Sequence, residues 1–294
     1  MKKTIFFTLL ICVVSFSVYT QSSETVVNGA SLAVKLQWLK ENAASNTLYR
    51  VEVNANESIN GAVDENSQNF LFYSGKSNIT VRFTGNGRER IVSLAGNGWL
   101  FVIGNGVTLI LDNNITLQGH NENNRPLFSV RSGGTLIMNT GAKISGNNGN
   151  GVSISSGTFT MTGGEISGNM DSGVYVGPFS TFAMSGGRIS GNKAESGGGV
   201  NVSSAGTFTM TGGEISGNTA TTQGGGVFVG SSVAPFSKTG GIIYGYTDGN
   251  SNSNVVRNDS GNVQNRQGHA VYIFTTPPKY LDTTMGQDLN YVNR

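Results

Sequence analysis

The residues best placed to do chemistry in this chain are a few carboxylates. Cleaving a glycosidic bond commonly takes two of them, one protonating the leaving oxygen and one attacking or activating water. Glu165 and Glu214 occupy identical phrases, GTFTMTGGEISGN, at 157–169 and 206–218. A looser copy, STFAMSGGRISGN at 180–192, puts Arg188 at the same place. If the copies stack as successive rungs, Glu165 and Glu214 lie two strand spacings apart, roughly 10 Å. That is near the separation inverting enzymes use, but Arg188 then lies between them. The column Lys143, Glu165, Arg188, Glu214 alternates in sign, which favours a ladder of ion pairs over an acid–base pair. Asp112, Glu122, Asp171 and Glu195 are further acids of the same zone. A cleft holding two carboxylates away from cations would mark an enzyme. Paired charges on a smooth rod would mark a binding or structural protein.

The chain has 2 histidines. His120 follows a glycine and aligns with Asn97, Asn147, Asn169, Asn192 and Asn218, so it is expected in a ladder of stacked asparagines. His269 has Asp248, Asp259 and Arg257 near it in the sequence, and this cluster is expected to be a capping loop. No spacing suits a metal, and the regular Asp of glycine-rich calcium repeats is missing. GNGVTL is not followed by a helix, so it makes no phosphate loop. No catalytic residue, metal ligand or cofactor is assigned.

These side chains need a scaffold, and the repeats describe one. Thr135, Thr158, Thr181 and Thr207 open equivalent phrases, at spacings of 23, 23 and 26 residues. Within the unit 173–192 the apolar pairs Val174/Val176 and Phe182/Met184 alternate with a period of two, and Ile189 follows. Alternation implies strands with one buried face, and the glycine clusters between them imply turns. Three short strands per unit, stacked unit on unit, make an all-β, right-handed parallel β-helix (a solenoid).

Three apolar columns follow from the alignment. One is Phe101, Phe128, Val152, Val174, Val200, Val227 and Val271. Another is Leu109, Leu136, Phe159, Phe182, Phe208 and Phe236. The third is Leu111, Met138, Met161, Met184 and Met210, and Lys238 ends it. Burying one such Phe or Met stabilises by about 1.5–3 kcal/mol.

If Val174 and Val176 point inward, Tyr175 points outward, and Asn201, Phe228 and Tyr272 follow on later rungs. A file of exposed aromatics can stack on sugar rings, so Tyr175, Phe228 and Tyr272 are the candidate binding residues. A threonine face (Thr158, Thr160, Thr207, Thr209) is broken by Ile137 and Ala183 and is ascribed to strand propensity.

A solenoid needs caps. Ser31 can cap a helix carrying Leu32, Leu36, Leu39 and Ala43 on one face. At the far end Thr247–Asn265 is a polar insertion before HAVYI at 269–273, and Pro277 and Pro278 are expected to stop further strand addition. The divisions expected are a signal peptide over 1–22, an N-terminal capping segment with a helix over 23–48, a parallel β-helix over 49–274 and a tail over 275–294. The signal is read from Lys2, Lys3 and the apolar run from Ile5 to Val14, which is too short to span a bilayer. Cys12, the single cysteine, lies within it; Ile11 before it speaks against lipidation. The mature protein is therefore expected to lack disulfides, to have no membrane span, and to be secreted or held in the cell envelope. Charged residues make up only 12% of 294 and the net charge is +2, which excludes an electrostatic nucleic-acid surface.

GGGV at 197–200 and 224–227, the GTFTMTGGEISGN phrase and HAVYI resemble bacterial right-handed parallel β-helix repeat proteins of the pectin-lyase-like superfamily. The repeats are also loosely similar to those of polymorphic outer-membrane proteins, with Ile for Phe in ISGN and no C-terminal barrel. The resemblance implies the same solenoid. It also raises polysaccharide lyase or hydrolase activity, but the NTD, DD, GHG and RIK set of polygalacturonases is missing, and so is an obvious lyase carboxylate cluster. The expected function is an exported, non-enzymatic surface or secreted module for binding, adhesion or spacing. Its expected partner is a glycan or a host or cell-surface ligand. The alternative is a carbohydrate-active enzyme with an unrecognised site.

Overall fold

The computed structural model describes residues 24–231, 235–275, 277–286 and 291–293. The expected signal peptide, with Cys12, lies outside them. The chain winds as a parallel β-solenoid of about 8 turns, with one short helix near its N-terminal end. A representative turn runs Val174–Val176, Thr181–Met184 and Arg188–Ser190. Each strand pairs in parallel with its counterpart one turn away.

Register follows the repeats. The column from Phe101 to Val271 is continuous through every rung. So are the columns from Leu109 to Phe236 and from Leu111 to Met210. Period-two alternation sends these side chains into one core, where Phe159, Phe182, Phe208 and Phe236 are fully buried. Parallel in-register pairing forces like onto like. Phe182 therefore stacks on Phe159 and on Phe208 with centroids 4.9 Å apart and rings within 10° of parallel.

The asparagine ladder forms, with different ends from those expected. Its members are Asn123, Asn147, Asn169, Asn192, Asn218 and Asn254, all essentially inaccessible. The backbone N–H of Asn147, Asn169, Asn192 and Asn218 each donates to Oδ1 of the next member at 2.9–3.1 Å. Gly191 before Asn192 has φ +66, the left-handed turn that lets the asparagine swing inward. His120 is not a member. Asn123 donates its N–H to the His120 carbonyl in a turn and enters the ladder three residues later. Asn97 is exposed, and Asn123 Oδ1 accepts instead from Gly98.

Both ends are closed. The helix Leu32–Asn42 starts at Ser31, whose hydroxyl accepts the Val34 N–H, and it buries Leu32, Leu36 and Leu39, with Ala43 buried at its end. Lys35, on the same buried face, donates to the Glu52 carbonyl at 2.6 Å. At the other end Pro277 and Pro278 do not stop strand addition. They end the parallel coil, and the chain reverses to add Lys279–Leu281 antiparallel to Val271–Ile273. Tyr291–Asn293 adds antiparallel to Phe236–Ile243. Lys238, buried in place of the next methionine, donates to the Gly286 carbonyl at 2.7 Å.

Candidate functional site

One side of the coil carries a groove, and a change in repeat length builds it. The turns with the 23-residue spacing pass directly from the asparagine corner to the next strand. The longer turns insert an extra strand there, Lys193–Ser196 and then Thr219–Gln223, and Val255–Val256 completes a small three-stranded sheet. This sheet stands as a wall beside the outward face of the Val174–Val176 strand family. Gly197 turns the chain from wall to floor with φ +67, and a Cβ there would sit 2.5 Å from the Val200 carbonyl oxygen. A larger residue would push wall and floor apart.

The floor is the predicted outward file. Tyr175, Asn201, Phe228 and Tyr272 pair rung to rung. Ser153 precedes them. The groove they define has a volume of about 950 Å³. Tyr175, Asn201 and Phe228 line it, with Lys193 and Glu195 from the wall and Asp171 from the short link that takes the wall's place one turn earlier. The wall is braced: Asn201 Nδ2 donates to the Ser196 carbonyl at 3.0 Å, and the Ser196 and Thr222 hydroxyls bond at 2.6 Å. The Ser172 N–H donates to Asp171 Oδ1 at 2.7 Å, which fixes that carboxylate at the rim.

Tyr272 does not face solvent. It is 5% exposed, because Tyr280 on the reversing strand pairs across it. Its ring stacks on Phe228 at 5.9 Å and 16°, so it backs Phe228 at the C-terminal end of the groove. The groove thus combines aromatic rings, carboxylates that can accept from hydroxyls, and amide and ammonium donors.

The charge column keeps its register but not all of its expected pairs. Arg188 pairs with Glu214 at 3.3 Å. Lys143 reaches instead to Glu89 at 3.1 Å. A hydrogen bond from Thr116, and then Lys143, hold the Glu89 carboxyl below its usual range. Glu165 forms no ion pair among the described residues. It lies outside the groove lining, as do Asp112 and Glu122.

His269 belongs to the C-terminal cap, as its sequence surroundings suggested. It is 1% exposed, and its Nδ1 accepts the Val256 N–H at 2.9 Å. Its ring meets Tyr246 at 5.3 Å. Burial lowers its pKa, against an upward pull from Asp282, and Arg257 adds to the lowering. Asp282, which the sequence did not single out, orders the loop by accepting N–H bonds from Arg266, Gly268 and His269.

Among the described residues no group of three or more His, Cys, Asp or Glu side chains is placed to hold a metal, and no helix is long and apolar enough to cross a membrane. Set against protein-family models, curated proteins and solved structures, the chain finds no match.

Proposed function

We propose that this chain is an exported, non-enzymatic β-helix binding module, at the cell surface or secreted, that holds a glycan chain in the groove over Tyr175 and Phe228. We place it with the bacterial right-handed β-helix repeat proteins of the pectin-lyase-like kind on the strength of its repeats. The observation carrying the functional reading is the floor: an aromatic, an amide and an aromatic on successive rungs, walled on one side. Each rung advances about 4.8 Å. Tyr175 and Phe228 are two rungs apart, so two rings roughly 10 Å apart can stack on separate sugar residues of one chain.

One observation favours a second reading, a carbohydrate-active enzyme. Asp171 and Glu195 both line the groove. Lys193 lines it beside them, so they are not a carboxylate pair apart from cations. The test is to screen the mature protein against a polysaccharide panel for retention and for new reducing ends or unsaturated products. Retention without products supports the binding module. Products that vanish in Asp171→Asn or Glu195→Gln would establish the enzyme instead.

A further inference from the structure

Just beyond the groove, toward the N-terminal end, two guanidinium groups lie on one indole. Arg125 Cζ is 4.3 Å and Arg131 Cζ is 4.4 Å from the centre of the Trp99 ring. The distance between the two cations is thus capped by the sum of those lengths. Neither forms an ion pair among the described residues. In a chain this poor in charge, two adjacent cations without a carboxylate are an electrostatic cost that the Trp99 π-face offsets only in part. Burial of Arg131, and then repulsion from Arg125, both lower its pKa.

The pair is held in place. Arg131 projects outward from the strand Phe128–Arg131, and its Nε donates to Ser129 Oγ at 2.7 Å. Its terminal N–H groups make no other bond among the described residues. Arg125 sits in a loop whose backbone is tied to the end of the asparagine ladder. Its carbonyl accepts from Asn123 Nδ2 at 3.0 Å and from Asn147 Nδ2 at 2.7 Å. Its own guanidinium donates to nothing among the described residues, so all five of its N–H donors are available. Two forks held against one indole, close enough for one anion to span and with their donors unspent, call for an acceptor that can take bonds from both.

We infer that Arg125, Arg131 and Trp99 form an anion-binding site for a tetrahedral oxyanion, the sulfate or phosphate ester of a larger ligand. Geometry selects this class. A planar carboxylate is saturated by one bidentate fork, whereas a tetrahedral anion offers outward oxygens to two, at charge-assisted bond lengths of about 2.7–2.9 Å. The site also adjoins the groove. Asn124, beside Arg125, lines it, and Ser129, which anchors Arg131, pairs with Ser153 on the floor. A polymer along the coil axis would pass both. The anion site itself does not depend on the groove's reading.

The probes are inorganic sulfate and phosphate, titrated at constant ionic strength while Trp99 fluorescence is followed in a Trp38→Phe background. Both anions should give a saturable change, chloride none and acetate a weaker one. Arg131→Gln and Arg125→Gln should each weaken the response tenfold or more, and Arg125→Lys, which keeps the charge but loses the fork, should weaken it less. Tyr175→Ala should leave it intact, which separates this site from the groove. Dextran sulfate against a phosphorylated dextran, with plain dextran as control, then distinguishes the two ester sources. No saturable response in the folded protein, or a response in both Gln variants as strong as in the protein that keeps Arg125 and Arg131, overturns the inference.

Discussion

Asn192 donates both its backbone N–H and its side-chain amide to Oδ1 of Asn218, each at 3.0 Å. The same oxygen of Asn192 accepts both donors of Asn169, at 3.0 and 2.8 Å. Removing this side chain strands two buried donors of Asn169 and takes a donor away from the Ile166 carbonyl and from Asn218 Oδ1. Each orphaned buried group costs about 1–3 kcal/mol. Asn192→Ala is therefore expected to destabilise by about 3 kcal/mol or more, measured by chemical denaturation. Exposed Asn148→Ala should stay within about 0.5 kcal/mol. Similar losses in the two variants would mean that the ladder is not a structural spine.

Phe182 has a ring stacked on each side. Phe182→Ala should cost about 3–5 kcal/mol, since neighbours fixed by sheet hydrogen bonds cannot collapse into the space. Phe182→Leu should cost about 1.5 kcal/mol or less. Thermal melts of both variants check the order; an unchanged melting temperature for the alanine variant would contradict the continuous core.

The core was the most legible part of the sequence because a stacked solenoid repeats its environment every turn. The column through Phe159, Phe182 and Phe208 recurs at matching places in the repeated phrase, and so does the G-N signature of the inner ladder. Where the environment changes, the signal weakens. Asn123 and Asn254 follow Glu122 and Ser253 rather than glycine, so neither carries the signature, and His120 does by coincidence. Tyr272 alternates correctly but lies under a strand that reverses after two prolines, a contact no periodicity encodes. The groove was visible only as the jump in spacing from 23 to 26 residues, the extra length that becomes its wall. Arg125 and Trp99 come together from separate loops, and nothing in their spacing announces it.

His269 gives the cap a pH dependence. Its ordinary pKa is 6.5 and burial lowers it in the folded protein, where Nδ1 is already used as an acceptor. The unfolded chain thus takes up the proton first as pH falls below 6.5, and stability declines until pH passes the folded value. As pH falls below 6.5, the melting temperature should drop more steeply in the wild type than in His269→Gln. Parallel curves for the two proteins would remove His269 as the cause.

Lys238 is a charge buried at the end of the methionine file, where it holds the Gly286 carbonyl. Lys238→Met extends the file and relieves the desolvation of an ammonium, so overall stability should hold or rise. The C-terminal segment should loosen, seen as faster amide exchange over 279–286. A large loss of stability would mean that the lysine, rather than apolar packing, holds this end together.

The glycan grip proposed for the Tyr175–Phe228 floor is open to direct measurement. The most direct measurement is the affinity of the wild type and of Tyr175→Ala and Phe228→Ala for the polysaccharide best retained from a panel, with reducing ends assayed in the same samples. Removing a stacked ring should weaken binding about tenfold, a loss of about 1.4 kcal/mol, with no product formed. Retention of no polysaccharide by the wild type, or equal affinity in all three proteins, would contradict the account.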